Sequence, residues 1–300
     1  MGEIYHIKSI TEAHQLLGFE SPKHPLISVF RHTKQMNTDF NDMKLSSNLF
    51  YIALKDKISG GFKYGRNTYD FQEGTLIFVA PNQILTPEES PVLDFEGWSI
   101  LFHPDLIRNS ELGNAIKNYS FFNYEVKEAL HLSNKEKQGL TDCVYKIENE
   151  INQNMDKHSQ KLIIHNLESV LKYSSRFYDR QFYTRANLSK DYLSKFEAFI
   201  KGYFDNNNQL EKGIPTVKQC GIEMNMSGHY LSDLLKNETG KSLIEHLHLQ
   251  LIDRAKNSLL NTNVSVSQVA YSLGFEYPQY FSKLFKSKTG MSPSEYRNLN

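Results

Sequence analysis

Only two cysteines, Cys143 and Cys220, occur in 300 residues. That is too few for a disulfide scaffold. Each falls in a segment of helical spacing, so both are expected as small apolar residues in a reducing compartment. Net charge is absent as well, since 34 basic residues balance 34 acidic ones, and no global electrostatic case for a nucleic-acid partner exists. Long apolar runs are missing: Leu76 to Ala80 is typical of the longest, against the roughly 20 residues that span a bilayer. No basic stretch followed by an apolar one opens the chain, so no secretory signal is expected and the location is expected to be cytoplasmic. Catalytic signatures are lacking too. There is no glycine-rich phosphate loop and no nucleophile motif. The strand-like segments hold no His-x-His pair of the kind a metal site on facing strands needs. His246 and His248 form the single such pair, but on a helix positions i and i+2 point to different faces. His32 and His103 are isolated and are expected to bond locally. No catalytic residue, metal or cofactor is assigned, and the chain is not expected to be an enzyme.

What is present is a duplication. Tyr230-Leu-Ser-Asp-Leu-Leu-Lys-Asn-Glu-Thr-Gly-Lys-Ser242 returns 50 positions later as Tyr280-Phe-Ser-Lys-Leu-Phe-Lys-Ser-Lys-Thr-Gly-Met-Ser292. Upstream, Val217, Gln219, Cys220 and Gly221 match Val266, Gln268, Val269 and Ala270 at an offset of 49. The change of offset is one residue inserted in the turn between two matched helices. A helix, a short turn and a second helix, present twice, is the sequence form of tandem helix-turn-helix units, whose second helix enters a DNA major groove.

The length and a hydrophobic fraction of 39% allow two domains with ordinary cores. Residues 1–130 read as β-rich. Short runs at 27–30, 49–54, 75–80 and 95–102 are punctuated by Gly60-Gly61, Gly74, Pro81-Asn82 and Pro87 to Pro91, which suggests a sandwich or small barrel. Phe30, His32, Tyr51, Tyr64, Phe78 and Trp98 are candidate walls of a ligand pocket or parts of a dry core, so effector-binding residues stay unassigned. Residues 131–185 change period. Ser133-Asn-Lys-Glu136 reads as a capping box, followed by Leu140, Val144, Ile147 and Ile151. A second helix carries Leu162, Ile163, Leu167, Val170 and Leu171. This pair serves either as a dimerisation element or as a cover for the sheet. Thr184 to Lys190 is polar and is expected as a linker. Residues 190–300 read as wholly helical, with Leu193, Phe196, Ile200, Tyr203 and Phe204 on a first helix. Leu243, Leu247, Leu251, Ala255, Leu259 and Leu260 lie on a long helix joining the repeats. Asn206-Asn-Asn208 and Asn261-Thr-Asn263 mark loops, and Pro293 starts a last helix. This region holds 13 basic and 11 acidic residues, a net of +2, against −2 for the rest.

Within each repeat the spacing assigns roles. Gly221 and Ala270 let the second helix approach closely. Asn225 and Gly274 suit a left-handed turn. Ser227 caps a recognition helix over 228–237, and Pro278 opens its counterpart over 277–287. Tyr230, Leu231, Leu234 and Leu235, and likewise Tyr280, Phe281, Leu284 and Phe285, are expected inward. Gly228, His229, Ser232, Asp233 and Lys236, then Gln279, Ser282, Lys283 and Lys286, are expected outward. Gln pairs with adenine, Lys with guanine, and Asp accepts from the cytosine amino group. Lys236 and Lys286, a turn further on, suit phosphates. The candidate DNA-binding residues are therefore His229, Ser232, Asp233, Lys236, Gln279, Ser282, Lys283 and Lys286.

The last hundred or so residues resemble the DNA-binding domain of AraC/XylS-type transcriptional regulators. The likeness is carried by Val269-Ala-Tyr-Ser-Leu-Gly-Phe275, Tyr280-Phe-Ser-Lys-Leu-Phe-Lys286 and Thr289-Gly-Met-Ser-Pro-Ser-Glu-Tyr-Arg297. The first repeat adds Met226 to Lys236 and Glu238 to Ser242. The resemblance implies seven helices, two recognition helices in successive groove segments, a cupin-like N-terminal barrel that binds a small effector and dimerises, and regulation through RNA polymerase, more often as an activator. Two places depart from the pattern: Leu251-Ile252, where an Arg-Leu pair is common, and Asp233, where a basic residue is frequent. The expected fold is thus α+β: a β-rich cupin-like barrel, a helical dimerisation segment, and an all-α double helix-turn-helix domain. The expected function is an effector-responsive, promoter-binding regulator acting as a homodimer. A metal-free cupin enzyme fused to a DNA-binding domain and a constitutive DNA-binding dimer are the alternatives.

Overall fold

The computed structural model describes residues 4–32, 44–56, 74–84, 96–125, 128–184, 186–261 and 264–298. Gly60-Gly61, Tyr64 and Pro87 to Pro91 lie outside the described residues, as do Thr262 and Asn263. The chain divides into two compact units, Met1–Gln181 and Phe182–Asn300.

In the first unit, β1 (Ile4–Ile7) precedes helix α1 (Ile10–Leu16), which Ser9 caps by accepting from the Glu12 N–H. There follow β2 (Ile27–His32), β3 (Lys44–Ser47), β4 (Phe50–Asp56), β5 (Thr75–Val79), β6 (Glu96–Phe102), the short helix α2 (Glu111–Ala115) and β7 (Leu130–His131). β1 and β3 form a parallel pair, and the other five make one antiparallel sheet in the order β2-β6-β4-β5-β7. The four strands expected from the sequence are all present. The closed barrel is not: among the described residues the sheet has two edges, β2 and the two-residue β7, and no pairing joins them. The short β1, β3 and β7, with α1, had no alternating pattern long enough to be read.

Register separates the two faces of the sheet. Trp98, Ile100 and Phe102 share one face with Ile52, Leu54 and Phe78. Against it lie α3 (Asn134–Asn152), α4 (Ser159–Thr184) and the segment around Phe121. The Trp98 indole N–H donates to the Thr141 hydroxyl at 3.1 Å, and the Phe121 ring stacks on Tyr178 at 5.5 Å. Phe30, His32, Ser99 and Tyr51 share the other face. The candidate pocket walls are thereby split, with Phe78 and Trp98 pointing away from Phe30, His32 and Tyr51.

The capping box at Ser133 and Glu136 forms as expected. Leu140, Val144, Ile147, Ile151, Ile163, Leu167, Val170 and Leu171 are all buried within this single chain, whereas Leu162 is 48% exposed. Apart from Leu162, both apolar stripes are thus buried within the single chain. Thr184 to Lys190 is no loop either: Thr184 ends α4 and Ala186 to Lys190 belong to α5 (Ala186–Asp205). Polarity alone does not end a helix, and this stretch contains no Gly or Pro.

The second unit continues with α6 (Asn208–Lys212), α7 (Val217–Glu223), α8 (Gly228–Thr239), α9 (Leu243–Asn261), α10 (Val266–Ser272), α11 (Pro278–Thr289) and α12 (Pro293–Arg297). Besides the seven helices implied, the described residues include the short α6. Phe196, Ile200, Tyr203 and Phe204 from α5 and Leu243, Leu247, Leu251, Ala255 and Leu259 from α9 are buried; Leu260 is on the surface. Leu251 and Ile252, the first departure from the family pattern, are both core residues. Cys143 and Cys220 are free and buried, and burial pushes the Cys220 thiol up to about 11.

Candidate nucleic-acid interface

The two repeats are built by the same local chemistry. Thr216 and Gln219 form a capping box at the start of α7, as Ser265 and Gln268 do at α10. The turn that follows uses a left-handed residue in each copy, Asn225 at φ 56° and Gly274 at φ 88°. A Cβ on Gly221 would stand 2.6 Å from both the Gly228 nitrogen and the Met226 carbonyl, and one on Gly228 would collide with the Val217 carbonyl. Only a glycine pair allows α7 and α8 this contact. Gly228 therefore faces α7 and is not part of the outward row, contrary to the spacing argument. In the second copy Ala270 keeps its methyl group and is fully buried.

The downstream ends match too. The Thr239 hydroxyl donates to the Leu235 carbonyl and the Thr289 hydroxyl to the Phe285 carbonyl, both at 2.8 Å, ahead of left-handed Gly240 and Gly290. The Ser292–Glu295 capping box opens α12, and Ser242 and Glu245 bond reciprocally at the start of α9. The Ser242 N–H and hydroxyl hold the Glu245 carboxyl below its ordinary range, with Lys288 and Lys236 assisting. The duplicated unit is thus three helices rather than two. Ser242/Ser292 with Glu245/Glu295, also 50 apart, was the legible signal for the third.

On α8, His229 and Lys236 are exposed, while Ser232 and Asp233 are half-buried. The Ser232 hydroxyl accepts from the Leu243 N–H at 3.3 Å, which ties α8 to the start of α9. On α11, Gln279, Lys283 and Lys286 are exposed and Ser282 is half-buried. Tyr230, Leu231, Leu234, Leu235, Phe281 and Phe285 are buried as expected. Two inward assignments change: Leu284 is half-buried and Tyr280 is 62% exposed. In copy one the ring of Phe182 covers Tyr230 at 5.0 Å. Spacing within one helix carries no information about such a cover. The helices also differ in charge: α8 sets Asp233 and Glu238 against Lys236, whereas α11 carries Lys283, Lys286 and Lys288 and no acid.

Tandem helix-turn-helix units with polar residues over a buried apolar row make a DNA-binding module of the two-recognition-helix class. The sequence comparisons agree. A family described as "Helix-turn-helix domain" matches residues 222–299, and the C-terminal unit carries an AraC-type domain of this kind. The uncharacterized HTH-type transcriptional regulator YfiF of Bacillus subtilis (strain 168) is 22% identical over 267 residues, 88% of this chain and 81% of that protein. The xylose operon regulatory protein of Escherichia coli (strain K12) is 29% identical over 113 residues, and the match spans 37% of this chain but only 29% of that protein. Among solved structures, the C-terminal domain of AraT, a response regulator from Geobacillus stearothermophilus, is 28% identical, covering 36% of this chain and 85% of that one with a TM-score of 0.33. Among the described residues no helix is long and apolar enough to cross a membrane, and no group of His, Cys, Asp and Glu is placed to hold a metal ion.

Proposed function

We propose that this protein is a sequence-specific, DNA-binding transcription regulator whose helices α8 and α11 enter successive major-groove segments of promoter DNA. The observation that carries this is the duplication: both copies share the capping box of their first helix, a left-handed turn residue and the C-terminal geometry of the second helix, and both leave polar side chains outside an apolar row. His229, Ser232 and Asp233 face bases in one segment, and Gln279, Ser282 and Lys283 in the other. Lys236 and Lys286 lie a turn further along and meet phosphates. Residues 190–300 act as the DNA-binding part, 1–130 as an effector-responsive part and 131–185 as the helical pair between them. Regulation through RNA polymerase, as an activator, follows the family resemblance; the regulator names of the relatives support transcription regulation. A homodimer would use outward side chains such as Tyr145, Leu162 and Tyr173, which are 45–56% exposed, since the inner stripes of α3 and α4 are buried within the single chain.

The test is selection of bound fragments from a genomic library, with and without a metabolite mixture, followed by variants on the selected site. Gln279→Ala and Lys283→Ala should each weaken binding by about 1–3 kcal/mol and relax one base position. His229→Ala should do the same roughly 10 base pairs away. An unchanged footprint and affinity for His229→Ala would reduce the first repeat to a scaffold.

A further inference from the structure

Tyr230 and Tyr280 hold the same place in the two repeats, yet Tyr230 is 6% exposed and Tyr280 62%. Phe182 covers the first. Beside the second stands Tyr277, 47% exposed, its ring edge-on to Tyr280 at 5.7 Å and 90°. Tyr277 occupies the N-cap of α11 and makes no side-chain capping bond, whereas Ser227 at the same place in copy one accepts from the Tyr230 N–H. A polar cap is worth about 1 kcal/mol to a helix start, and copy two goes without one. Among the described residues neither phenol hydroxyl has a hydrogen-bond partner. Two touching aromatic rings thus stand in water at the start of a recognition helix, where a smaller polar residue would serve folding better.

We propose that Tyr280 is a base-reading residue of α11, its ring packing on a thymine C5-methyl group beside the base met by Gln279, with Tyr277 as the residue that positions the ring. The inference rests on the DNA-binding function proposed above and adds a specificity to it. The occupant is duplex DNA because the pair adjoins Gln279 and lies within one turn of Lys283, on a helix that carries Lys283, Lys286 and Lys288 and no acid. That charge complements a phosphate backbone. The base is thymine because its methyl group is the apolar feature of the major groove.

The full chain is used to select duplexes from a random library, and thymidines of the selected site are replaced one at a time by deoxyuridine. At one position next to the Gln279 contact, loss of the methyl should weaken wild-type binding about fourfold, the value of one buried carbon. Tyr280→Ala should bind the thymine duplex roughly tenfold more weakly and should no longer distinguish uracil from thymine. Tyr280→Phe should stay within about twofold of wild type, and Tyr277→Ser, which restores a polar cap, should lower the thymine preference without lowering helix stability. If Tyr280→Phe loses as much as Tyr280→Ala, the hydroxyl meets a phosphate and the thymine assignment is wrong. If Tyr280→Ala binds like wild type while Lys283→Ala does not, the pair faces something other than DNA and the inference fails with the function intact. If no duplex is enriched, the function itself fails.

Discussion

Single residues decide the state of two sites. His32, on the sheet face turned away from α3 and α4, lies 2.6 Å from the Ser99 hydroxyl, which donates to the Tyr51 hydroxyl at 3.1 Å. Burial, aided by nearby Lys55, pushes the His32 imidazole down from 6.5 to about 4. The unfolded chain takes up this proton near pH 6.5, while the folded site resists until about pH 4. Stability present above pH 6.5 should therefore fall as the pH drops through that window. The loss should be no more than about 2 kcal/mol, because the ring is partly exposed and water screens it. Urea titrations of the wild type and His32→Gln at pH 7 and pH 4.5 check this: the difference between the two proteins should shrink at the lower pH. In the helix-turn-helix units, Gly221→Ala should cost about 1–3 kcal/mol, since its methyl group would overlap backbone atoms of Met226 and Gly228 that have no free rotamer to yield. Ala270→Gly in the matched position should cost about 1 kcal/mol, mostly through helix propensity. Equal effects at both positions, read by chemical denaturation, would mean that the two turns are built alike after all.

At the scale of elements, the recognition helices are alike in packing and unlike in charge. α11 presents three lysines and no acid, whereas Asp233 and Glu238 outnumber Lys236 on α8. Lys236 and Lys286 follow the proposed base-reading positions by one turn and are exposed. Replacing either with Ala should weaken binding to all sequences alike and reduce the log–log salt slope by about one unit. Fluorescence anisotropy from 50 to 200 mM salt would measure it, and a loss confined to one base pair would make that lysine a base reader.

At the scale of the whole molecule, α3 and α4 show how a sequence pattern can serve two purposes. Leu167 suits a dimer seam by its spacing, and on that basis Leu167→Asp would give folded monomers. The side chain is fully buried in the single chain, so a carboxylate there has no water and no designed partner. Leu167→Asp should instead unfold the N-terminal unit, with a loss of at least about 3 kcal/mol. Limited proteolysis should then cut residues 1–181 and spare the C-terminal unit. Leu162→Asp, on the exposed side of the same helix, should leave both units folded. A folded, monomeric Leu167→Asp protein would return the seam to the inner stripe.

The sequence by itself determined whatever is written in local chemistry. The duplicated helices, their caps at Ser227 and Ser133, the left-handed Asn225 and Gly274, the close approach at Gly221 and the strands around Ile27, Ile52, Leu76 and Ile100 were legible because each depends on neighbours within a few positions. Outward placement of His229, Lys236, Gln279, Lys283 and Lys286 followed from helical period for the same reason. Tertiary structure alone decided what depends on distant partners. Phe182 buries Tyr230 and, among the described residues, nothing equivalent buries Tyr280, which no periodicity within α11 encodes. Register, not composition, put Trp98 and Phe78 on the helix side of the sheet and His32 and Tyr51 on the other. The stripes of α3 and α4 announced burial but not what would bury them, because an apolar row is satisfied equally by a sheet of the same chain or by a second copy.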